Sequence, residues 1–246
     1  MEKPINSVWI AGAGYLGQPL AQRLSGFADV RASSRHPINA PWWHPWDFTK
    51  PAPLQAFQDA GTWVVLLPPS ISAAYVEHMQ YWFAMAERAS VQHVVYTSST
   101  SVYGSAPRVC DEFSEVQPES AAAHSIVACE RLCLNSRIPH VTVLRLGGLY
   151  DDERHPVRRL SGRLDIAGGQ HAVNVLPRAA AIAVLHDCVA TPRGHFLANV
   201  VATAHPGREA FYTAEALRLH VPVPQFRTQD QSAGKLVHSH YGHWLI

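Results

Sequence analysis

The chain has 246 residues, 47% of them hydrophobic, enough for one large α/β domain or for a nucleotide-binding domain with a small appendage. With 20 basic and 19 acidic residues the net charge is +1, which argues against a phosphate-tracking surface and so against nucleic acid as a partner. The first apolar run begins too early for a signal sequence and no run approaches the roughly 18 to 20 residues that span a bilayer, so a cytoplasmic protein with no membrane partner is expected.

In chain order, Val8 to Ala11 is an apolar strand that ends in Gly12-Ala13-Gly14-Tyr15-Leu16-Gly17 and passes into a helix from Gln18 to Leu24. Gly12 permits a tight turn, Gly14 lets backbone approach a pyrophosphate, and Gly17 allows close helix packing, so the helix N-terminus can receive phosphates. Gly12, Gly14, Tyr15, Leu16 and Gly17 are therefore candidate cofactor ligands. A second strand, Ala28 to Arg35, closes in a polar turn where an acidic residue would accept the ribose 2′-hydroxyl of NAD. Ser34 and Arg35 stand there with no acid, which selects NADP over NAD. The prolines of Pro41-Trp42-Trp43-His44-Pro45-Trp46 forbid a regular helix, so this is a loop with packing tryptophans, leading to a short third strand that ends at Asp47-Phe48.

A helical turn or two over 54–60 precedes Thr62 to Leu67, a β-branched, fully apolar run typical of a strand buried on both faces of a parallel sheet. Pro68-Pro69 ends it, and Ser72 to Ser90 is a long helix. His93 to Thr97 is the fifth strand and opens into Ser98-Ser99-Thr100-Ser101-Val102-Tyr103-Gly104, hydroxyls at the carboxyl end of a parallel strand, where open α/β sheets bind ligands. Pro118 to Ser136 is a second long helix and Val141 to Leu146 a sixth strand. This alternation predicts a doubly wound parallel sheet, a Rossmann core over 1–146. Beyond Gly147 the pattern loosens into a small C-terminal substrate lobe over 147–246 with returns to the core, carrying a helix at 179–189 and a strand at 196–201. Cys110, Cys129, Cys133 and Cys188 form no CxxC pair and read as reduced, and no histidine pair at ligand spacing stands beside a carboxylate, so no metal site is expected; His238, His240 and His243, an adventitious metal binder at most, read as a solvated tail.

Gly-Ala-Gly-Tyr-Leu-Gly, Val-Val-Tyr-Thr-Ser-Ser-Thr-Ser-Val-Tyr-Gly and Leu-Arg-Leu-Gly-Gly-Leu-Tyr, in this order and spacing, resemble the extended short-chain dehydrogenase/reductases, the NAD-dependent epimerase/dehydratase family. Gly234-Lys235-Leu236-Val237 is similar to a segment late in atypical members assigned as sugar-nucleotide epimerases. The resemblance covers nearly the whole chain. It implies that Gly12, Gly14 and Gly17 hold the pyrophosphate, Arg35 the 2′-phosphate, Asp47 the adenine edge, and Leu67-Pro68 the ribose side. It also puts Ser99 in the place of the hydroxyl that binds the substrate oxygen.

The family's acid/base is a YxxxK pair, and the chain lacks it: Lys3, Lys50 and Lys235 are the only lysines, and Ala122 and Ile126 fall at the Tyr and Lys positions. A positioned acid/base is worth ~10² to 10⁴ in rate, so ordinary ketone reduction is expected to be impaired. Ser99 and Tyr103 are the preferred catalytic candidates, with His124 and Tyr150 as further ones. Leu176-Pro177-Arg178 and Asp151-Asp152-Glu153 also depart from the family pattern, and the three carboxylates are expected to repel a nucleotide diphosphate. Two readings follow. One is an NADP-preferring oxidoreductase or epimerase acting on a small carbonyl, imine or sugar-type substrate with a non-standard acid/base. The other is a catalytically defective NADP-binding protein with a regulatory or structural role. In this family the two long helices commonly pair in a homodimer.

Overall fold

In the computed structural model, which describes residues 7–50, 57 and 59–241, the apolar runs become the strands β1 (Ser7–Ala11), β2 (Asp29–Ser34), β3 (Trp43–Pro45), β4 (Thr62–Val65) and β5 (His93–Ser99). The short β6 (Val109–Cys110) and the long β7 (His140–Leu146) follow, then β8 (Gly148–Tyr150), β9 (Val175–Pro177), β10 (His195–Val200) and β11 (Leu236–Val237). The helices are α1 (Gly17–Leu24), α2 (Tyr75–Arg88), α3 (Ala121–Leu134), α4 (Val157–Leu160), α5 (Arg178–Ala190) and α6 (Arg208–Arg218). The helical turn expected over 54–60 lies largely outside the described residues. Of it, Phe57 is buried. The two long helices begin three residues later than the sequence pattern suggests. For α3 the reason is Ser120, whose Oγ accepts from the Ala123 N–H at 3.1 Å and caps the first turn.

Seven strands form one parallel sheet in the order β10-β7-β5-β4-β1-β2-β3. Ile10 pairs with Val64, Val64 with Val95 and Val95 with Thr142, so the most apolar strands occupy the centre. Alternate residues of β1 serve opposite faces. Trp9 and Ala11 join Trp46, Phe57, Trp63, Met79, Trp82 and Cys129 under α2 and α3, while Val8 and Ile10 join Leu20, Leu24, Ala181, Leu185 and Cys188 under α1 and α5. The third strand falls inside the expected loop, at Trp43–Pro45 beside β2, instead of ending at Asp47-Phe48, and Trp46 packs as expected, 4.4 Å from Trp82 and 5.2 Å from Trp9, centroid to centroid. The four cysteines are free and buried.

The C-terminal third returns to the core at two points, α5 covering the β1 face beside α1 and β10 adding a seventh strand beside β7. What remains for the lobe is 148–177 and 201–235, with β8–β9 as a two-stranded parallel ribbon. After Lys235, β11 pairs with β6, and the Tyr241 ring lies 4.7 Å from Phe196.

Candidate functional site

The chain runs outward from β1 toward β3 and from β4 toward β10, so the strand order reverses between β1 and β4, and loops on either side diverge at their carboxyl ends. A cleft of about 720 Å³ opens there. One wall is the glycine turn. Gly12, at φ +107°, adopts a conformation that side chains rarely do, and its amide and that of Ala13 are held by the Ser33 carbonyl at 3.1 and 2.7 Å. A Cβ on Gly17 would collide with the Gly12 carbonyl, so the close packing of α1 against the turn requires this glycine. A Cβ on Gly14 would meet nothing within 4 Å. That open approach at the start of α1 is the room a pyrophosphate requires.

Of the residues that sequence reasoning singled out, Gly12, Gly14, Tyr15, Leu16, Ser34, Arg35, Leu67, Pro68 and Ser99 line this one cleft. Arg35 is exposed, without an ion pair or hydrogen bond among the described residues. Ser34 is committed to the turn, its Oγ donating to the His36 carbonyl at 2.6 Å and accepting from Trp43 Nε1 at 3.0 Å. Asp47 lies outside the lining. Its Oδ1 accepts from the Thr49 amide at 3.0 Å and hydroxyl at 2.9 Å, and these bonds hold its carboxyl below the usual range. Its neighbours Trp46 and Phe48 line the cleft instead.

The structure does not bring Tyr103 to the cleft. Its side chain is fully buried, its hydroxyl accepts from Arg145 Nη1 at 2.8 Å, and its proton is shared between the Asp111 carbonyl at 2.7 Å and Asn199 Oδ1 at 2.9 Å. Burial raises its pKa against the opposing pull of Arg145. The preferred proton donor is thus a fastener of a buried network. Arg145 also donates to Glu130 through Nε at 2.8 Å and Nη2 at 2.7 Å, and Ser98 Oγ donates to the same carboxylate at 2.5 Å. Sequence reasoning missed this because the motif position is shared by contact and packing tyrosines alike. The available signal was Arg145 on the neighbouring strand, a charge in an apolar run that demands buried partners.

Ile126 lines the cleft where the family's lysine would stand, and Ala122 faces solvent. The other candidates lie elsewhere: the exposed His124 turns its Nδ1 to the Ser120 carbonyl at 3.0 Å, and Tyr150 packs 4.9 Å from His155 and 6.0 Å from Phe211. Three hydroxyls, Thr97, Ser98 and Ser99, line the cleft with apolar Ile126 and Leu146, but Thr97 donates to the Val65 carbonyl at 3.1 Å and Ser98 to Glu130. Ser99 Oγ accepts from the Ser101 amide at 3.1 Å, which leaves its own proton to donate. Tyr15 is the one tyrosine of the lining, and burial, reinforced by Asp151, pushes its pKa up to about 12.

Two departures from the family pattern meet at Tyr15. Arg178 donates Nε to the Tyr15 carbonyl at 2.8 Å, and the guanidinium carbons of Arg178 and Arg154 lie 4.3 and 4.6 Å from its ring centroid. Arg178 also pairs with Asp151 at 3.2 Å, and Asp152 pairs with Arg218 at 2.7 Å. Two of the three carboxylates expected to repel phosphate are thus neutralised by arginines that the sequence places far away.

No family model matches the chain. YeeZ of Escherichia coli K12 is 30% identical over 251 residues, spanning 95% of this chain and 91% of its own length. Among solved structures, MoeE5 in complex with UDP-glucuronic acid and NAD superposes with a TM-score of 0.78 at 19% identity, covering 97% of this chain and 92% of that one. A short-chain dehydrogenase/reductase superfamily protein from Agrobacterium tumefaciens, with bound NAD, gives 0.73 at 16% identity, covering 93% and 88%. No helix among the described residues is long and apolar enough to cross a membrane, and none of their His, Cys, Asp and Glu side chains cluster as a metal site would require.

Proposed function

The chain belongs to one family with YeeZ and has the fold of the extended short-chain dehydrogenase/reductases, and from that premise we propose that it binds a nicotinamide dinucleotide, NADP in preference to NAD, and acts as an oxidoreductase or epimerase on a small carbonyl, imine or sugar-type substrate. The observation that carries the reading is the single cleft joining the open approach at Gly14 to the Ser99 hydroxyl. The glycine turn and the start of α1 hold the pyrophosphate, Arg35 the 2′-phosphate, and Leu67 and Pro68 the ribose side. Bound there, the cofactor supplies hydride transfer. Ser99 donates a hydrogen bond to the substrate oxygen or nitrogen and orients it, the proton that balances the hydride coming from solvent, while Ile126 and Leu146 line the reacting face. With hydroxyls as the only polar side chains at the inner end, the site favours a substrate that is already electrophilic, an imine above a ketone.

Fluorescence titration with NADPH and NADH tests the cradle. Replacing a charge-assisted bond worth about 1.5 to 3 kcal/mol, Arg35→Ala is expected to weaken NADPH about 10- to 100-fold and to leave NADH within about twofold. Binding of neither cofactor to the parent protein would end the proposal. The replacement of the acid/base lysine by Ile126, with Tyr103 buried, also supports a second reading, an NADP-binding protein without turnover. Single-turnover NADPH oxidation with a panel of imines and carbonyls, in parent and Ser99→Ala, separates them: turnover lost in the variant supports the enzyme.

A further inference from the structure

Beside the dinucleotide cleft, and sharing Gly148 and Leu149 with it, lies a second chamber of about 340 Å³ between the strand-end loops and the lobe. Its polar lining is unusual. Arg208, at the start of α6, and Lys235, just before β11, both face it together with Tyr212, Asn174 and Thr100, and no carboxylate lines it. Neither cation takes part in an ion pair among the described residues.

Both side chains are held in place by backbone. Lys235 Nζ donates to the carbonyl of Thr100, the residue after Ser99, at 2.7 Å, which leaves two N–H donors. Arg208 Nη1 donates to the Ala167 carbonyl at 3.0 Å, and its guanidinium lies 5.6 and 6.0 Å from the centroids of the parallel Phe226 and Tyr212 rings. Burial lowers the pKa of Lys235, whose nearby carboxylate, Glu119, is engaged by the amide and hydroxyl of Ser105. Two partly buried cations without counter-ions raise the free energy of the empty fold, and an oxyanion between them offsets it.

We propose that this chamber is the substrate site and that it selects a compact acid, a small carboxylate or a phosphate monoester, held by Arg208 and Lys235 with its reactive carbon turned across Gly148 toward Ser99. This rests on the dinucleotide reading for the identity of the neighbouring cleft, though the anion site can be measured without it. A chamber of this size is at the small end of ligand pockets, which run from about 300 to 1,000 Å³, and favours a small acid over a nucleoside diphosphate sugar.

The test is calorimetric titration of the intact protein, with and without NADPH, using oxalate, inorganic phosphate and UDP-glucose as probes, in the parent and in Arg208→Met and Lys235→Met. Saturable binding of oxalate or phosphate, weakened at least about tenfold in each variant while NADPH affinity stays within about twofold, supports the site, and the better probe identifies carboxylate or phosphate as the ligand chemistry. Oxalate and phosphate that both fail to bind, that bind the variants equally well, or that bind more weakly than UDP-glucose overturn it. Failure of NADPH to bind while the anion result holds strikes the dinucleotide reading alone.

Discussion

Gly14 and Gly17 occupy one turn, yet the structure gives them opposite consequences when a methyl group is added. On Gly17 the new carbon would be pressed into the Gly12 carbonyl oxygen, 2.9 Å from its carbon and 3.3 Å from Ile10 Cγ2, with rigid backbone as the main obstacle. Overpacking of this kind costs about 1 to 3 kcal/mol. For a chain of this size each kcal/mol moves the melting temperature by about 2 to 4 °C, so Gly17→Ala is expected to melt roughly 2 to 12 °C lower. On Gly14 the methyl group meets no protein atom within 4 Å, and the reduced freedom of the unfolded chain stabilises the variant by about 0.4 to 1 kcal/mol where the backbone conformation suits alanine. That methyl group nevertheless projects where the pyrophosphate is proposed to lie. Gly14→Ala should therefore melt at or slightly above the parent temperature while losing at least about tenfold in NADPH affinity. Circular dichroism melting and fluorescence titration of both variants check this. A Gly14→Ala protein that melts as low as Gly17→Ala, or that binds NADPH as well as the parent, would refute the division of labour between these two glycines.

Tyr103→Phe removes the acceptor of Arg145 and the donor to Asp111 and Asn199, so a loss of about 1 to 3 kcal/mol in urea unfolding is expected with NADPH binding unchanged. Unchanged stability with abolished turnover would return Tyr103 to catalysis. His93 is fully buried, its Nε2 3.0 Å from Thr142 Oγ1, and burial, helped by His140, pushes its pKa down to about 4 from 6.5. The unfolded chain binds the proton more readily between these values, so the contribution is fully present above pH 6.5 and is lost as pH falls toward 4. The loss is about 3 kcal/mol. Since His155 and His186 are shifted the same way, His93→Gln should reduce the acid slope of unfolding free energy without abolishing it, and equal slopes in parent and variant would contradict the assignment.

The legibility of the glycine-turn half of the cleft in the sequence has a local cause. Strand, glycine turn and helix start are contiguous in the chain, and Gly12, Gly14, Arg35, Leu67 and Ser99 each sit within a few residues of a strand end, so the alternation of elements already delivers them to one sheet edge. Asp47 failed to follow because its fate depended on the hydrogen bonds of a two-residue turn with Thr49.

What the sequence by itself determined is the parallel sheet, its buried strands, the glycine turn and the absence of a YxxxK motif, since each is written in residue type and short spacing. Tertiary structure alone decided that Tyr103 is a buried fastener, that α5 and β10 belong to the core, that Arg178 braces the Tyr15 backbone, and that Arg208 and Lys235 converge on the second cavity from distant parts of the chain. Charges and hydroxyls take their meaning from partners: Arg145 lies 42 residues from Tyr103 and Lys235 lies 135 from Thr100, separations over which periodicity carries no information.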